Sequence, residues 1–242
     1  MDAEVQVMIN AEAFTGKAQA YAEARPSYPN EAMEYICKIV PQNATIADIG
    51  AGTGKFTELL AKHRYEIIAV EPNLDMREQL AITLAPFPNT KIVDGTAEAT
   101  TLPSHSVDVI TCAQAIGWFD LDAFRVECQR IGKPGAIIIS IYNYMPGDNF
   151  IPGNNRLTNK RATDMFFENP TVQGFPNPVF YTRERWLQKH VSLSDSPKPS
   201  DVVYKRYLAE ANEIFDRESV DSLLCHSLIT KVYSEEITRM SR

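Results

Sequence analysis

Thr45-Ile46-Ala47-Asp48-Ile49-Gly50-Ala51-Gly52-Thr53-Gly54-Lys55-Phe56-Thr57 is the stretch that decides the fold of this chain. It reads as a short apolar strand, a turn with glycine at every second position, and the opening of a helix expected over Thr53 to Lys62. Three glycines in five residues remove the Cβ atoms that would hold a ligand off the backbone, and they admit positive φ. The helix N-terminus brings unpaired N–H groups and a partial positive charge to the turn, which suits an anion. Strand, glycine turn and helix together form the nucleotide-binding beginning of a doubly wound α/β sheet.

Spacing narrows the choice. A dinucleotide fingerprint, G-x-G-x-x-G, counted from Gly50 and Gly52 needs glycine at position 55, where Lys55 stands. What the chain has is Asp-x-Gly-x-Gly-x-Gly, with Asp48 two residues before Gly50. This pattern resembles motif I of the class I S-adenosylmethionine-dependent methyltransferases, the small-molecule kind related to methyltransferase type 11 and trans-aconitate methyltransferases. The resemblance implies a cofactor cradle at Asp48, Gly50, Ala51, Gly52, Thr53, Gly54 and Phe56. It implies S-adenosylmethionine as cofactor and S-adenosylhomocysteine as product.

Downstream, Tyr65 to Val70 is an apolar run ending in Glu71-Pro72, and Glu71 falls 17 residues after Gly54. An acid at the end of the second strand of such a unit accepts hydrogen bonds from ribose hydroxyls. The plainer account is a surface glutamate at a strand end. Leu74 to Leu84 reads as a helix with Met76, Leu80 and Leu84 inward. Met76 is either core or adenine contact. Strand three, Thr90 to Val93, leads into Asp94-Gly95-Thr96-Ala97-Glu98, where the family resemblance places Thr96, Ala97 and Glu98 on the adenine side; Asp94-Gly95 is also a good turn in any protein.

Strand four, Val107 to Gln114, ends in Ala115-Ile116-Gly117-Trp118-Phe119-Asp120. Ligands of open parallel sheets bind beyond the carboxyl ends of the strands, which places Gln114, Ala115 and Trp118 at the site. An aromatic face attracts a sulfonium by roughly 0.5–2 kcal/mol. Similar methyltransferases carry Gln-Ala-x-His-Trp-Phe here, and this chain has Gly117 in place of that histidine, so it lacks any acid/base role of that imidazole. The catalytic residue is left open, with Tyr142, Tyr144, Gln114 and Asp120 as candidates. A helix over Leu121 to Ile131 and a strand from Ala136 to Tyr142 follow.

Before motif I, Phe14, Ala18, Tyr21 and Arg25 share a helical face that Pro26 ends. The resemblance, to a Phe…Tyr-x-x-x-Arg-Pro-x-Tyr-Pro segment, makes this a lid with Tyr21 and Arg25 over the cofactor; the bland account is an amphipathic helix that merely packs. After strand five, residues 144–190 are crowded with Gly, Pro and Asn among aromatics. We read them as a cap over the acceptor pocket, since long irregular segments in compact domains are usually functional or mobile. A helix is expected from about Pro199 to Phe215, and a last strand over Leu223 to Tyr233.

The organisation expected is therefore a helical lid (1–40), a Rossmann-like core (41–143), a cap (144–190) and a C-terminal completion of the sheet (191–242). The fold class is α/β, a doubly wound, mostly parallel seven-stranded sheet with an antiparallel C-terminal edge strand. A net charge of −7 over 242 residues argues against a nucleic-acid surface, which needs a basic patch. Four dispersed cysteines form neither a zinc spacing nor a disulfide framework, and the metal expectation is none. No secretory signal is evident, and the longest apolar run is far too short for a membrane span, so a cytoplasmic protein acting on a small molecule, as monomer or homodimer, is expected. Two other readings stay open: a nicotinamide oxidoreductase, and a catalytically silent protein that binds S-adenosylmethionine.

Overall fold

The computed structural model describes residues 14–63, 65–146, 158–194 and 196–237. Strands β1 (Thr45–Ile49), β2 (Glu66–Val70), β3 (Thr90–Val93), β4 (Val107–Ala113), β5 (Gly132–Tyr144), β6 (Thr171–Tyr181) and β7 (Leu224–Glu236) make one sheet in the order β3-β2-β1-β4-β5-β7-β6. The first five run parallel to one another, and β7 is antiparallel to both of its neighbours.

Parallel strands covered on both faces must be apolar at consecutive positions, and these are. Alternation sorts their side chains to two cores. Ile46, Ile67, Val109, Ile139 and Ile141 meet α2 (Asn30–Ile39) and α3 (Lys55–Ala61) through Ile36, Phe56 and Leu60. Ala47, Ile110, Cys112 and Ile138 meet α5 (Leu121–Ile131) and α6 (Asn159–Phe166) through Phe124, Cys128, Ala162 and Phe166. Between these pairs, α4 (Leu74–Leu84) lays Leu80 and Leu84 on Ala69. Asp120 starts α5 by accepting the Asp122 and Ala123 N–H groups, each at 3.1 Å, and so serves as a helix cap rather than a base.

The mostly parallel seven-stranded sheet with an antiparallel C-terminal strand is the expected one. That strand, β7, lies one place in from the edge, because residues 171–181 of the expected cap form β6 outside it. Gly174, Pro176 and Pro178 look like loop residues in sequence. Both prolines share one parity along β6, however, so their missing N–H groups fall on the open edge, where a strand tolerates them. Helix α7 (Arg183–Val191) follows β6, then α8 (Tyr204–Glu218), five residues later than expected at its start. The N-terminal helix α1 (Ala18–Ala24) packs against α7. Its preceding residue Lys17 donates from Nζ to the Leu193, Ser194 and Ser196 carbonyls at 2.7, 3.1 and 3.2 Å. None of the described helices is long and apolar enough to cross a membrane.

Candidate active site

The three glycines of the opening turn have positive φ (68°, 58° and 84°) but different surroundings. A Cβ at Gly50 would stand 2.8 Å from the Ala115 Cβ, and one at Gly54 2.7 Å from the Leu80 Cδ1. These two let the turn close onto β4 and α4. A Cβ at Gly52 would meet no other atom within 4 Å. Gly52 alone turns bare backbone toward open space.

That space is a cleft of about 90 Å³ at the carboxyl ends of β1, β2 and β4, its mouth open to solvent. Gly50 and Gly52 line one side, Glu71, Pro72 and Met76 another, and Thr96, Ala97 and Glu98 a third. Ala113, Gln114, Ala115, Trp118 and Phe119 close the β4 side, with Phe14 and Tyr21 over the top. Twelve residues expected at the site from sequence are therefore gathered here: Tyr21, Gly50, Gly52, Glu71, Pro72, Met76, Thr96, Ala97, Glu98, Gln114, Ala115 and Trp118.

Glu71 is the pivotal side chain, only 7 % exposed. Its Oε2 accepts the Gly52 N–H at 2.8 Å and its Oε1 the Asn73 N–H at 3.0 Å. Burial pushes its carboxyl above the ordinary range, while these N–H groups and the nearby Arg77 guanidinium pull it back. Each carboxylate oxygen keeps further lone pairs for a ligand hydroxyl. Met76 and Ala97, also in the lining, are buried and apolar.

The remaining expected residues lie elsewhere, each for a physical reason. Asp48 is 1 % exposed beneath the turn, where its two oxygens accept the Thr57 and Thr111 hydroxyls at 2.6 and 2.8 Å; burial lifts its carboxyl to about 6. It braces β1 against α3 and β4 instead of touching the cleft. Phe56 is a core residue, edge-on to Tyr28 at 5.3 Å. Gly54 is filled against Leu80, and Ala51 and Thr53 face away from the cleft lining, Ala51 against the Ala69–Leu80 core and Thr53 buried. Arg25 lies outside the lining with its guanidinium 4.9 Å from the Tyr21 ring centre. The tyrosine candidates also fall away. Tyr142 is 1 % exposed with its hydroxyl 3.4 Å from that of Tyr233, burial drives its acidity well down, and the Tyr144 ring lies tilted beside it at 6.0 Å.

Three lining residues escaped the sequence reading: Phe14, Ala113 and Phe119. Phe14 meets Tyr21 edge-on at 5.7 Å and Trp118 at 5.1 Å, making an aromatic roof. Thr15 and Gly16 tie that roof to α4, the first by accepting from Asn73 Nδ2 at 3.0 Å, the second by donating to Asp75 Oδ2 at 2.6 Å. The Phe…Tyr spacing was the available signal for Phe14.

Residues 47–140 match the family model of a methyltransferase domain. An uncharacterised methyltransferase of Mycobacterium tuberculosis is 35 % identical over 130 residues, covering 54 % of this chain and 51 % of that protein. An uncharacterised methyltransferase-like protein of Schizosaccharomyces pombe is 34 % identical over 138 residues, covering 56 % and 53 %. This chain thus spans about half the length of the curated relatives it matches. Among solved structures, a candidate type II methyltransferase from Anaeromyxobacter dehalogenans superposes with a TM-score of 0.66 at 21 % identity, over 88 % of this chain and 98 % of that one. The fold is Rossmann-like, and a segment at its centre matches a methyltransferase domain. What the comparisons give this chain is a likeness to a methyltransferase domain over residues 47–140.

Proposed function

We propose that this chain moves a methyl group from S-adenosylmethionine to a small-molecule acceptor. The observation that carries the reading is the buried Glu71 carboxylate set 2.8 Å from the only cleft glycine with open space at its Cβ. That pair fits an adenosyl group: a carboxylate for the ribose hydroxyls, and side-chain-free backbone for the portion that passes over the turn. Met76 and Ala97 supply an apolar slot suited to a purine, with Thr96 and Glu98 at its rim.

S-adenosylmethionine brings a methyl carbon already activated on a positive sulfur. The protein is left with binding, alignment and exclusion of water. Orientation of this kind contributes about 7–11 kcal/mol in favourable cases. Phe14, Tyr21 and Trp118 supply the water exclusion as a roof of three rings. Among the described residues, the only ionisable side chains lining the cleft are Tyr21, Glu71 and Glu98. Glu71 is committed to binding and Glu98 accepts the Asp120 N–H at 2.9 Å. Positioning rather than proton abstraction is therefore the contribution we assign to the residues of this cleft.

The acidic balance of the chain favours a small neutral or acidic acceptor over a nucleic acid, and we place the protein in the cytoplasm. The experiment is a pair of calorimetric titrations, one with S-adenosylmethionine and one with NAD. Binding of the first alone is expected; tight NAD binding without S-adenosylmethionine binding would overturn the assignment in favour of an oxidoreductase. Transfer of a labelled methyl to a pool of small amines, thiols, phenols and carboxylates then separates an enzyme from a silent binding protein.

A further inference from the structure

Gln114 closes β4 with φ of +58°, a left-handed conformation that a residue with a side chain adopts at a cost. Something must hold it there, and the contacts around it are specific. Asn159, the first residue of α6, donates from Nδ2 to the Gln114 carbonyl at 3.2 Å and to the Gln114 Oε1 at 2.8 Å. The Oδ1 of Asn159 accepts the Gly117 N–H at 3.1 Å. One carboxamide therefore clasps both ends of the Gln114–Gly117 turn. From the other side, Gln114 donates from Nε2 to the Asn143 carbonyl at 3.2 Å, and its own N–H goes to the Ile141 carbonyl at 2.9 Å.

The turn so clasped carries Gln114 and Ala115, and the short 3₁₀ turn Ile116–Trp118 presents Trp118, all three lining the cleft. Ala115 also leaves no room for a Cβ on Gly50, which would stand 2.8 Å from the Ala115 Cβ, so a shift of this turn moves the wall against the glycine turn. Position 117 is a glycine whose N–H is engaged by Asn159.

We propose that Asn159 is a positioning residue of the methyl-transfer site, acting through Gln114 and Gly117 to fix the Gln114–Trp118 wall of the cleft. This rests on the methyltransferase reading only for which ligand the wall serves. The relation of Asn159 to the turn stands on the contacts themselves.

The test uses Asn159→Ala, Gln114→Gly and the double variant. Glycine accepts left-handed φ without penalty, so it removes the need for a clasp. Two readouts are taken: hydrogen exchange of the peptide covering residues 114–119 without ligand, and calorimetric affinity for S-adenosylhomocysteine. Asn159→Ala is expected to raise exchange in that peptide about tenfold and to weaken S-adenosylhomocysteine about tenfold, in keeping with the usual cost of one strained backbone residue. In the Gln114→Gly background, the same substitution is expected to change affinity by less than about threefold.

Unchanged exchange on Asn159→Ala, or an equal loss of affinity in both backgrounds, overturns the proposal. If the wild-type protein binds no S-adenosylhomocysteine, the functional reading fails while the exchange readout still decides this one. Should Asn159→Ala not fold, Asn159→Asp serves instead, because it keeps the acceptor for Gly117 and loses the donor for Gln114. It is expected to show the same loss and the same rescue by Gln114→Gly, and absence of that rescue also overturns the proposal.

Discussion

Adjacent glycines of one motif do different work, and substitution should separate them. Gly54→Ala drives a Cβ to 2.7 Å from the Leu80 Cδ1 at φ of +84°, so it should lower stability by about 1–3 kcal/mol, read by denaturant titration. Gly52→Ala meets no atom and should lose only about 1 kcal/mol for its left-handed backbone. Its new methyl enters the cleft, and S-adenosylhomocysteine affinity should fall more than about tenfold, a loss larger than its stability change accounts for. Glu71→Ala should likewise weaken S-adenosylmethionine at least about tenfold, as expected for hydrogen bonds to a charged group, with no change removing Glu71 from the site. Asp48 has a different signature. Its carboxyl is raised to about 6 in the fold, so the folded state holds the proton more tightly than the unfolded chain does. This group's contribution to stability therefore falls as pH rises from about 4 to about 6 and is level above. Asp48→Asn lacks that titration. The melting temperature of the wild type minus that of the variant should shrink over this window, and a constant difference would contradict the assignment.

Elements were legible in sequence where one local signal agreed with the tertiary role. The helix Leu121–Ile131 has its cap at Asp120 and its apolar period at Phe124, Cys128 and Ile131, and it forms over those residues. Strand Thr90–Val93 likewise forms as read. Strand β6 was not legible, because Gly174, Pro176 and Pro178 carry loop propensities that only its edge position makes harmless. The site divides in the same way. Glu71 and Gly52 follow from spacing along the chain, whereas Asn159 reaches the cleft through hydrogen bonds to residues 42 and 45 positions away, which no local pattern encodes. The N-terminal segment joins both classes. Its Tyr21 was legible from the Tyr-x-x-x-Arg-Pro spacing, while its docking through Lys17 onto the loop after α7 was not. Phe14 and Tyr21 stand over the cleft, so a ligand seated there packs against them and holds the segment in place. Hydrogen exchange over residues 14–25 should accordingly slow when S-adenosylhomocysteine is added, and equal exchange in both states would show that the segment is not a lid.

At the scale of the whole molecule, the sheet order brings the ends of β1, β2 and β4 side by side, with β1 at the centre. The glycine turn, Glu71 and Gln114 lie far apart in the chain and meet because parallel strands end on the same side. The outer half of the sheet, β5 to β6, adds the residues that brace that edge: Asn177 on β6 donates to Asn143 on β5 and to the Ser27 carbonyl between α1 and α2, at 3.1 and 2.9 Å. The most direct measurement of the central claim is a crystal structure of the protein with S-adenosylhomocysteine. The account predicts both ribose hydroxyls on the Glu71 carboxylate, the base between Met76 and Ala97, and the chain of the ligand crossing Gly52. A ligand bound elsewhere, with Glu71 still closed on Gly52 and Asn73 alone, would contradict it.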